Sequence, residues 1–288
     1  MATQEQVTST IVSTTRDRSE KSAANSSQFF QSLAVLLIFA AIVIVSIAKS
    51  VQPQYAWLIS MLLLIVFISV LGLWIVKDPL GILISNRNVM SMSRLQTAIW
   101  TVIVVPAFMT LVFYRIRNGV ANPLSVSIPM ELWAAMGISL ASLVGTPLIL
   151  GSKSDQSPSD IALKNTGNAL GTSVDDIADH ALGTVFSNPS PKDARASDMF
   201  QGDEVGNKAT VDLAKVQMFA FTISLILAYG AGVWSLLSSL AGASGDNLAK
   251  SSAGLPVLTK DSVYLLLISH AGYLTSKAVN HTDQDKTS

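Results

Sequence analysis

A nine-residue motif, SRLQTAIWT at Ser93–Thr101, returns 121 positions later as AKVQMFAFT at Ala214–Thr222. Each copy places a basic residue, a Gln, an aromatic residue and a Thr at the same spacing, at the start of a long apolar run. Two apolar helices often resemble each other by chance, but a matched polar lead-in is much rarer. The sequence therefore predicts an internal duplication. The aligned polar positions are Asn86 with Asn207, Arg87 with Lys208, Ser91 with Asp212, Arg94 with Lys215, and Gln96 with Gln217.

The apolar residues are gathered into runs, which is typical of a membrane protein. They make up 50% of the 288 residues, and only 13% are charged, against about a quarter in a soluble domain. A membrane span needs about 20 apolar helical residues. Five runs approach that length, and a sixth, at 263–276, is shorter, so it is either a span or a re-entrant helix. The five are Phe29–Ala48, Ala56–Val76, Thr97–Tyr114, Leu132–Leu150 and Met218–Ala241.

These patterns predict an all-α integral membrane protein with about six transmembrane helices. Each repeat holds two spans, an even number, so both copies enter the membrane from the same side and are parallel repeats. The predicted parts are a disordered cytoplasmic tail (1–28), a leading membrane hairpin of two helices (29–76), repeat 1 (77–151), an acidic cytoplasmic loop with a short amphipathic helix (152–201), repeat 2 (202–280) and a polar tail (281–288).

The distribution of Lys and Arg predicts the orientation. If the amino terminus lies inside the cell, fourteen of the nineteen basic residues fall on inner segments and five on outer ones. Basic residues favour the cytoplasmic side, so both termini are expected there, in a cell inner membrane. The formal net charge is zero, which gives no reason to expect a nucleic-acid partner.

The duplicated lead-ins are the first candidate site. Ser91 and Asp212 are good N-cap residues, which puts Arg94 and Lys215 in the first turn of their helices. A cation is unfavourable at a helix N-terminus, so another contact should favour it there. Anionic lipid headgroups near Arg94 and Lys215 would do so. Alternatively, the cations and glutamines face each other and line an entrance. The candidate entrance residues are Asn86, Arg94, Gln96, Asn207, Lys215 and Gln217.

The loop between the repeats is the second candidate. Residues 152–212 carry ten acidic and five basic residues. Ser173 can cap a helix whose apolar residues follow helical spacing as far as Phe186. We expect this helix either to pack on the repeat lead-ins or to bind a protein partner. Asp176, Asp179 and His180 imitate a metal cluster, but this spacing is typical of a solvated helix face, so no metal or cofactor is expected.

His270 is the only ionisable residue predicted deep within a span. Such residues are functional candidates, although a neutral His bonded to a neighbouring helix is the commoner case. No set of acid, base and nucleophile is recognisable, so an enzyme is not expected. The favoured function is a membrane scaffold, anchor or sensor with an acidic partner-binding loop. The alternative is a homo-oligomeric channel or transporter in which the duplicated entrances line a permeation path.

Overall fold

The computed structural model describes residues 31–243 and 245–282, and almost all regular structure in them is helical. A single two-stranded hairpin and four short 3₁₀ turns complete the regular structure of these residues. The helices are α1 Gln31–Ile47, α2 Pro53–Ile75, α3 Met92–Arg117, α4 Met130–Gly151, α5 Asp160–Leu170, α6 Val174–Asp179, α7 Leu213–Ser239, α8 Gly245–Ser251 and α9 Lys260–Ala278. The strands are β1 Ala181–Leu182 and β2 Val185–Phe186, and the 3₁₀ turns are Gly81–Leu83, Pro191–Asp193, Ala196–Met199 and Val205–Asn207.

Within the described ranges, four helices are long and apolar enough to cross a membrane: α2, α3, α4 and α7. They coincide with four of the predicted runs. The first predicted run appears as the shorter apolar helix α1, and its start at Phe29 lies outside the described residues. The last is α9, which has 19 residues with Lys260, Asp261 and Lys277 in its end turns. The all-α class is confirmed, and the six-span count stays a prediction.

Helices α3 and α7 lie side by side and run in the same direction. Near their starts, the Gln96 Nε2 donates to Thr222 Oγ1 at 2.7 Å. Near their ends, the Tyr114 hydroxyl donates to the Leu240 carbonyl at 2.8 Å. A contact between the two starts and another between the two ends is found only in a parallel pair.

Helices α4 and α9 form a second parallel pair. Just before them, Ser127 and Gly254 form a parallel backbone bridge. Just after them, the Lys153 Nζ donates to the Val279 carbonyl at 2.6 Å. Because α3 also contacts α4 and α7 also contacts α9, the four helices close into a ring. The inside of the ring is filled by large buried side chains, among them Trp100, Leu111, Leu132, Val233 and Leu266.

Helices α1 and α2 lie outside the ring. Helix α2 packs against α3 and α7, and its Trp57 Nε1 donates to the Ile103 carbonyl at 3.2 Å. Helix α1 contacts α2 through an edge-on pair of rings, Phe39 and Phe67, whose centroids are 5.0 Å apart. The leading hairpin therefore covers one flank of the bundle.

Residues 152–212, here called the loop unit, fold into a small unit on the side of the bundle where α4 ends and α7 begins. Leu163, Ile177 and Val205 form its own small core. The predicted cap is confirmed, since Ser173 Oγ accepts from the Asp176 amide at 3.0 Å.

The predicted helix extending from that cap to Phe186 is wrong. Helix α6 ends at Asp179, and the chain continues as the hairpin of β1 and β2. Gly183 forms the hairpin turn with φ of +62°. That value is unfavourable for any residue but glycine and incompatible with a continuing helix.

Candidate functional site

A buried group of charged side chains joins the loop unit to the ring of helices, and we call it the charge cluster. Its centre is Asp203. The Asp203 Oδ1 accepts from Arg87 Nη2 at 2.7 Å, and its Oδ2 lies 3.0 Å from Lys215 Nζ and also pairs with Lys277. These three cations come from the segment before α3, the first turn of α7 and the last turn of α9. One carboxylate therefore ties three parts of the helical bundle to the loop unit.

Two further carboxylates extend the cluster on either side. Glu204 Oε1 accepts from Lys153 Nζ at 2.5 Å, just beyond the end of α4. Asp198 Oδ1 accepts from Lys208 Nζ at 2.9 Å, and its Oδ2 accepts from the Arg195 amide at 2.8 Å. Every one of these ion-paired side chains is at most 12% exposed. Buried charges of this kind are stable only when paired and hydrogen-bonded.

The local backbone explains why the neighbours Asp203 and Glu204 reach different cations. Glu204 forms an isolated bridge with Val185, and its amide donates to Asn207 Oδ1 at 3.0 Å. The chain is thus extended at Glu204 before the turn Val205–Asn207 begins. Successive side chains of an extended segment point in opposite directions, so the two carboxylates diverge.

Cations outnumber carboxylates in the described part of this cluster, at five to three. Backbone carbonyls supply much of the remaining stabilisation: Phe186 accepts from Arg87 at 2.8 Å and Gln201 accepts from Lys215 at 2.5 Å. Aromatic faces supply more, because Lys208 lies 4.6 Å from the ring centre of Phe186.

The positive surroundings determine how Asp203 titrates. Burial alone would raise the pKa of the Asp203 carboxyl, but its three cations, with Lys277 contributing most, lower that pKa to well below its ordinary value of 3.8. For Lys208 the effect of burial is larger than that of its ion pair. Burial lowers the pKa of Lys208 below its ordinary value, although its ion pair with Asp198 opposes the effect. Asp203 is therefore held firmly in its charged form.

The ten carboxylates of the loop unit, all of which lie in the described ranges, divide by position. Three form the charge cluster, and Asp212 caps α7 by accepting from the Lys215 amide at 3.2 Å. The other six are exposed, against three exposed cations, Lys164, Lys192 and Arg195. The outward surface of the unit is thus acidic. On the surface toward the helices, the Asp203 carboxylate is paired with cations of the bundle. The exposed carboxylates are Asp155, Asp160, Asp175, Asp176, Asp179 and Asp193.

The structure separates the predicted entrance residues of the two lead-ins. Lys215 is buried in the charge cluster, so it does not reach lipid headgroups. Arg94 lies apart from it and donates to the Ile82 carbonyl at 3.3 Å. Gln96 is buried, whereas Gln217 is exposed, so the two glutamines do not face each other. Asn207 orients Glu204 as described above, and its counterpart Asn86 is exposed.

His270 is buried inside the ring of helices, where polar side chains of neighbouring helices form hydrogen-bonded pairs. Its Nδ1 is 2.7 Å from Ser142 Oγ, which joins α9 to α4 as Gln96 and Thr222 join α3 to α7. Each pair leaves one buried atom without a hydrogen-bond partner among the described residues, namely His270 Nε2 and Gln96 Oε1. A further buried pair, the hydroxyls of Thr146 and Tyr273 at 3.1 Å, also joins α4 to α9.

The acidic half of the charge cluster is what sequence reasoning missed. The alignment of the lead-ins picks out the cations Arg87, Lys208 and Lys215, but the composition of the loop gives Asp198, Asp203 and Glu204 no special place among its ten acids. The one available signal is that Asp203 and Glu204 lie within five residues of the aligned position Asn207. No group of metal-ligating side chains is formed by the described residues.

Comparison with family models, with curated proteins and with solved structures gives no match for this chain. The fold and the charge cluster therefore define its class by themselves. It is a helical protein with four helices suited to crossing a membrane and a small ion-paired unit at one end of the bundle.

Proposed function

We propose that this protein is a membrane scaffold, anchor or sensor that presents the loop unit to a basic partner in the cytoplasm. The observation that carries the proposal is the division of the carboxylates. Asp203 pairs with three cations of the helical bundle, Asp198 and Glu204 are buried in ion pairs beside it, and six other carboxylates of the unit are turned toward solvent. An acidic surface of this kind attracts and orients a basic partner.

A cleft in the loop unit gives such a partner a place to bind. It has a volume of about 410 Å³, and its lining includes three carboxylates, two cations and several apolar side chains. The charged residues are Asp176, Asp193, Asp198, Arg195 and Lys208. Carboxylates beside apolar side chains suit a Lys or Arg with an apolar stem. Lys208 and Asp198 both line this cleft and belong to the charge cluster, so binding here would act next to the ion pairs that hold the loop unit on the helices.

The proposed protein has six spans, two parallel repeats and both termini in the cytoplasm, within a cell inner membrane. The parallel pairing of α3 with α7 and of α4 with α9 supports the repeat. Helix α3 lies beside α7, whose sequence it resembles, and α4 lies beside α9, its counterpart in the second repeat. It also supports α9 as the sixth span, because α9 accompanies α4 from the bridge at Ser127 to the contact at Lys153.

Site-specific crosslinking in intact cells tests the scaffold function. A photo-crosslinking side chain at Asp176 should yield a discrete adduct with a basic protein, and the same group at Leu124, exposed in the loop between α3 and α4, should not. Replacing Asp175 and Asp179 by Asn should remove the adduct, whereas Lys164→Gln with Lys192→Gln should retain it. An adduct that is indifferent to the two Asp residues would contradict the proposal.

The second candidate function is an oligomeric channel or transporter. The observation that favours it is that two buried polar atoms, Gln96 Oε1 and His270 Nε2, have no hydrogen-bond partner among the described residues. Polar groups within a span are costly and commonly mark a transport path. Flux of ions and small solutes into proteoliposomes tests it. Flux that is lost in His270→Ala and retained in Lys164→Gln would favour transport over the scaffold function.

A further inference from the structure

An apolar groove runs along the outside of the bundle between α2, α3 and α4, and we call it the lateral groove. It has a volume of about 650 Å³. Its walls are almost entirely aliphatic or aromatic, with Phe67 and Leu71 from α2, Ala98 from α3 and Val144 from α4. Since all three helices are suited to crossing a membrane, the groove opens toward the acyl chains of the bilayer.

A single cation, Arg94, stands at the end of this groove nearest the loop unit. No carboxylate lines the groove, and in the described part of the chain Arg94 has one hydrogen bond, to the Ile82 carbonyl, and no ion pair. Its position in the first turn of α3 is unfavourable because the helix dipole is positive there. The local structure therefore gives this guanidinium no compensating negative charge.

The residue aligned with Arg94 shows what such a compensation looks like. Lys215 holds the same place in the first turn of α7, and Asp203 neutralises it inside the charge cluster. The two aligned cations thus differ in their surroundings: Lys215 faces a carboxylate of the protein, and Arg94 lines the groove that opens toward the membrane. A phosphate group from the membrane would supply to Arg94 what Asp203 supplies to Lys215.

The shape of the groove suits an acyl chain lying below that phosphate. The α3 residues that line it run from Arg94 to Thr101, which is roughly 10 Å along the helix axis at 1.5 Å per residue. On the opposite wall, α4 contributes Leu143, Val144, Pro147 and Leu148, none of which carries a charge. The groove is therefore long and apolar, with one cation, Arg94, at one end.

We propose that the lateral groove binds an anionic phospholipid of the surrounding bilayer, with the phosphate on Arg94 and one acyl chain along α3. A guanidinium matches a phosphate because its planar fork donates two parallel hydrogen bonds. The site is independent of the acidic surface of the loop unit and of the function proposed for that surface.

Native mass spectrometry of the purified full-length protein tests this site by titration with phosphatidylglycerol and with phosphatidylcholine of the same acyl chains. Both lipids carry a phosphate, but the choline of phosphatidylcholine balances its charge, so only phosphatidylglycerol brings a net negative charge to Arg94. Phosphatidylglycerol should therefore bind the wild type about tenfold more tightly, which is roughly the factor in Kd that one charge-assisted contact corresponds to. Arg94→Gln should abolish the difference, and Arg94→Lys should restore part of it. Lys77→Gln, which removes an exposed cation from the same end of the bundle, should leave it unchanged.

A second pair of variants tests the apolar body of the site. Ala98→Trp fills the lateral groove and should block binding of phosphatidylglycerol. Ala228→Trp fills a smaller groove between α7 and α9 that is lined by Ser224, Leu225 and Leu265 and by no cation, so it should not. The proposal is overturned by equal affinity for the two lipids, by an equal loss in Lys77→Gln, or by a dimer that Ala98→Trp dissociates, which would make a second copy the occupant.

Discussion

At the scale of single residues, Asp203 is the side chain on which the charge cluster depends most. Asp203→Asn keeps the shape but leaves Arg87, Lys215 and Lys277 without their shared carboxylate. Removing one partner of a buried ion pair costs about 3–5 kcal/mol. We expect a loss of that size in the free energy of unfolding, measured by denaturation in detergent. Asp193→Asn, at an exposed position of the same unit, should cost less than about 0.5 kcal/mol. Equal stabilities of the two variants would contradict the central role of Asp203.

The lowered pKa of Asp203 also predicts how stability responds to pH. The unfolded carboxyl titrates at its ordinary value of 3.8, and the folded one well below it. Above 3.8 both states are ionised and the stabilisation is complete. As the pH falls below 3.8 toward the folded pKa, the unfolded state takes up the proton first and the stabilisation is lost. The gap in unfolding free energy between wild type and Asp203→Asn should therefore be constant from about pH 7 to pH 5 and narrow below about pH 4. A gap that stays constant at pH 3 would contradict the pKa shift.

The sequence could indicate which residues are charged but not which of them meet. Lys215 was identified as a special position because a cation is unfavourable at the start of a helix. Its partner Asp203 lies in an irregular segment, and Asp203 contacts Arg87 across 116 positions of the chain. No periodicity relates such positions, so which cation meets a carboxylate of the protein depends on tertiary structure. Lys215 has such a partner, whereas Arg94 has none among the described residues, although their sequence contexts match.

At the scale of elements, the hairpin β1–β2 depends on the backbone at Gly183. A Cβ at this position would lie 2.3 Å from the Ser154 carbonyl oxygen, and its φ of +62° is unfavourable for other residues. Gly183→Ala should therefore destabilise the docked hairpin through both strain and overlap, each worth about 1–3 kcal/mol. Hydrogen exchange at the Thr184 amide, which donates to the Lys153 carbonyl, measures the effect directly.

A control for this prediction is available in the same unit. Gly171 has a φ of +72°, but nothing lies within 4 Å of the position of its Cβ. Gly171→Ala therefore carries the backbone strain alone, and it should cost about 1–2 kcal/mol. If Gly183→Ala reduced protection at Thr184 no more than Gly171→Ala does, the close approach to Ser154 would not matter for docking.

The sequence predicted long elements well and short ones poorly. Four apolar runs correspond to α2, α3, α4 and α7, because about 20 apolar residues have few alternatives to a helix in a membrane. The pattern from Val174 to Phe186 has only 13 residues, and it fits a helix followed by a hairpin as well as one helix. Gly183 decided between them, since a glycine with positive φ both ends a helix and forms a hairpin turn.

At the scale of the whole molecule, the duplication predicts in which direction each helix runs, but it does not predict which helices pack against each other. An even number of spans in each repeat predicts that α3 runs parallel to α7, and the contacts at Gln96 and Tyr114 show that it does. Closure of the ring could not be predicted from the sequence. An apolar helix face indicates that it avoids water, but it does not indicate which neighbouring helix it packs against. In a bilayer the pairing follows from shape and from a few polar contacts such as Ser142 with His270.

The path of the chain across the membrane gives the last prediction, and the absence of Cys from the sequence makes single-cysteine labelling clean. Leu124 and Val257 are 72% and 71% exposed and lie on opposite flanks of the bridge between Ser127 and Gly254. A membrane-impermeant maleimide added to intact cells should label both Leu124→Cys and Val257→Cys. Asp175→Cys and Asn280→Cys should be labelled only after the membrane is opened, because the proposed topology places both the loop unit and the end of α9 on the cytoplasmic side. If Asn280→Cys were labelled in intact cells together with Leu124→Cys and Val257→Cys, α9 would not cross the membrane. If only Asp175→Cys and Asn280→Cys were labelled, the orientation of the whole chain would be the reverse.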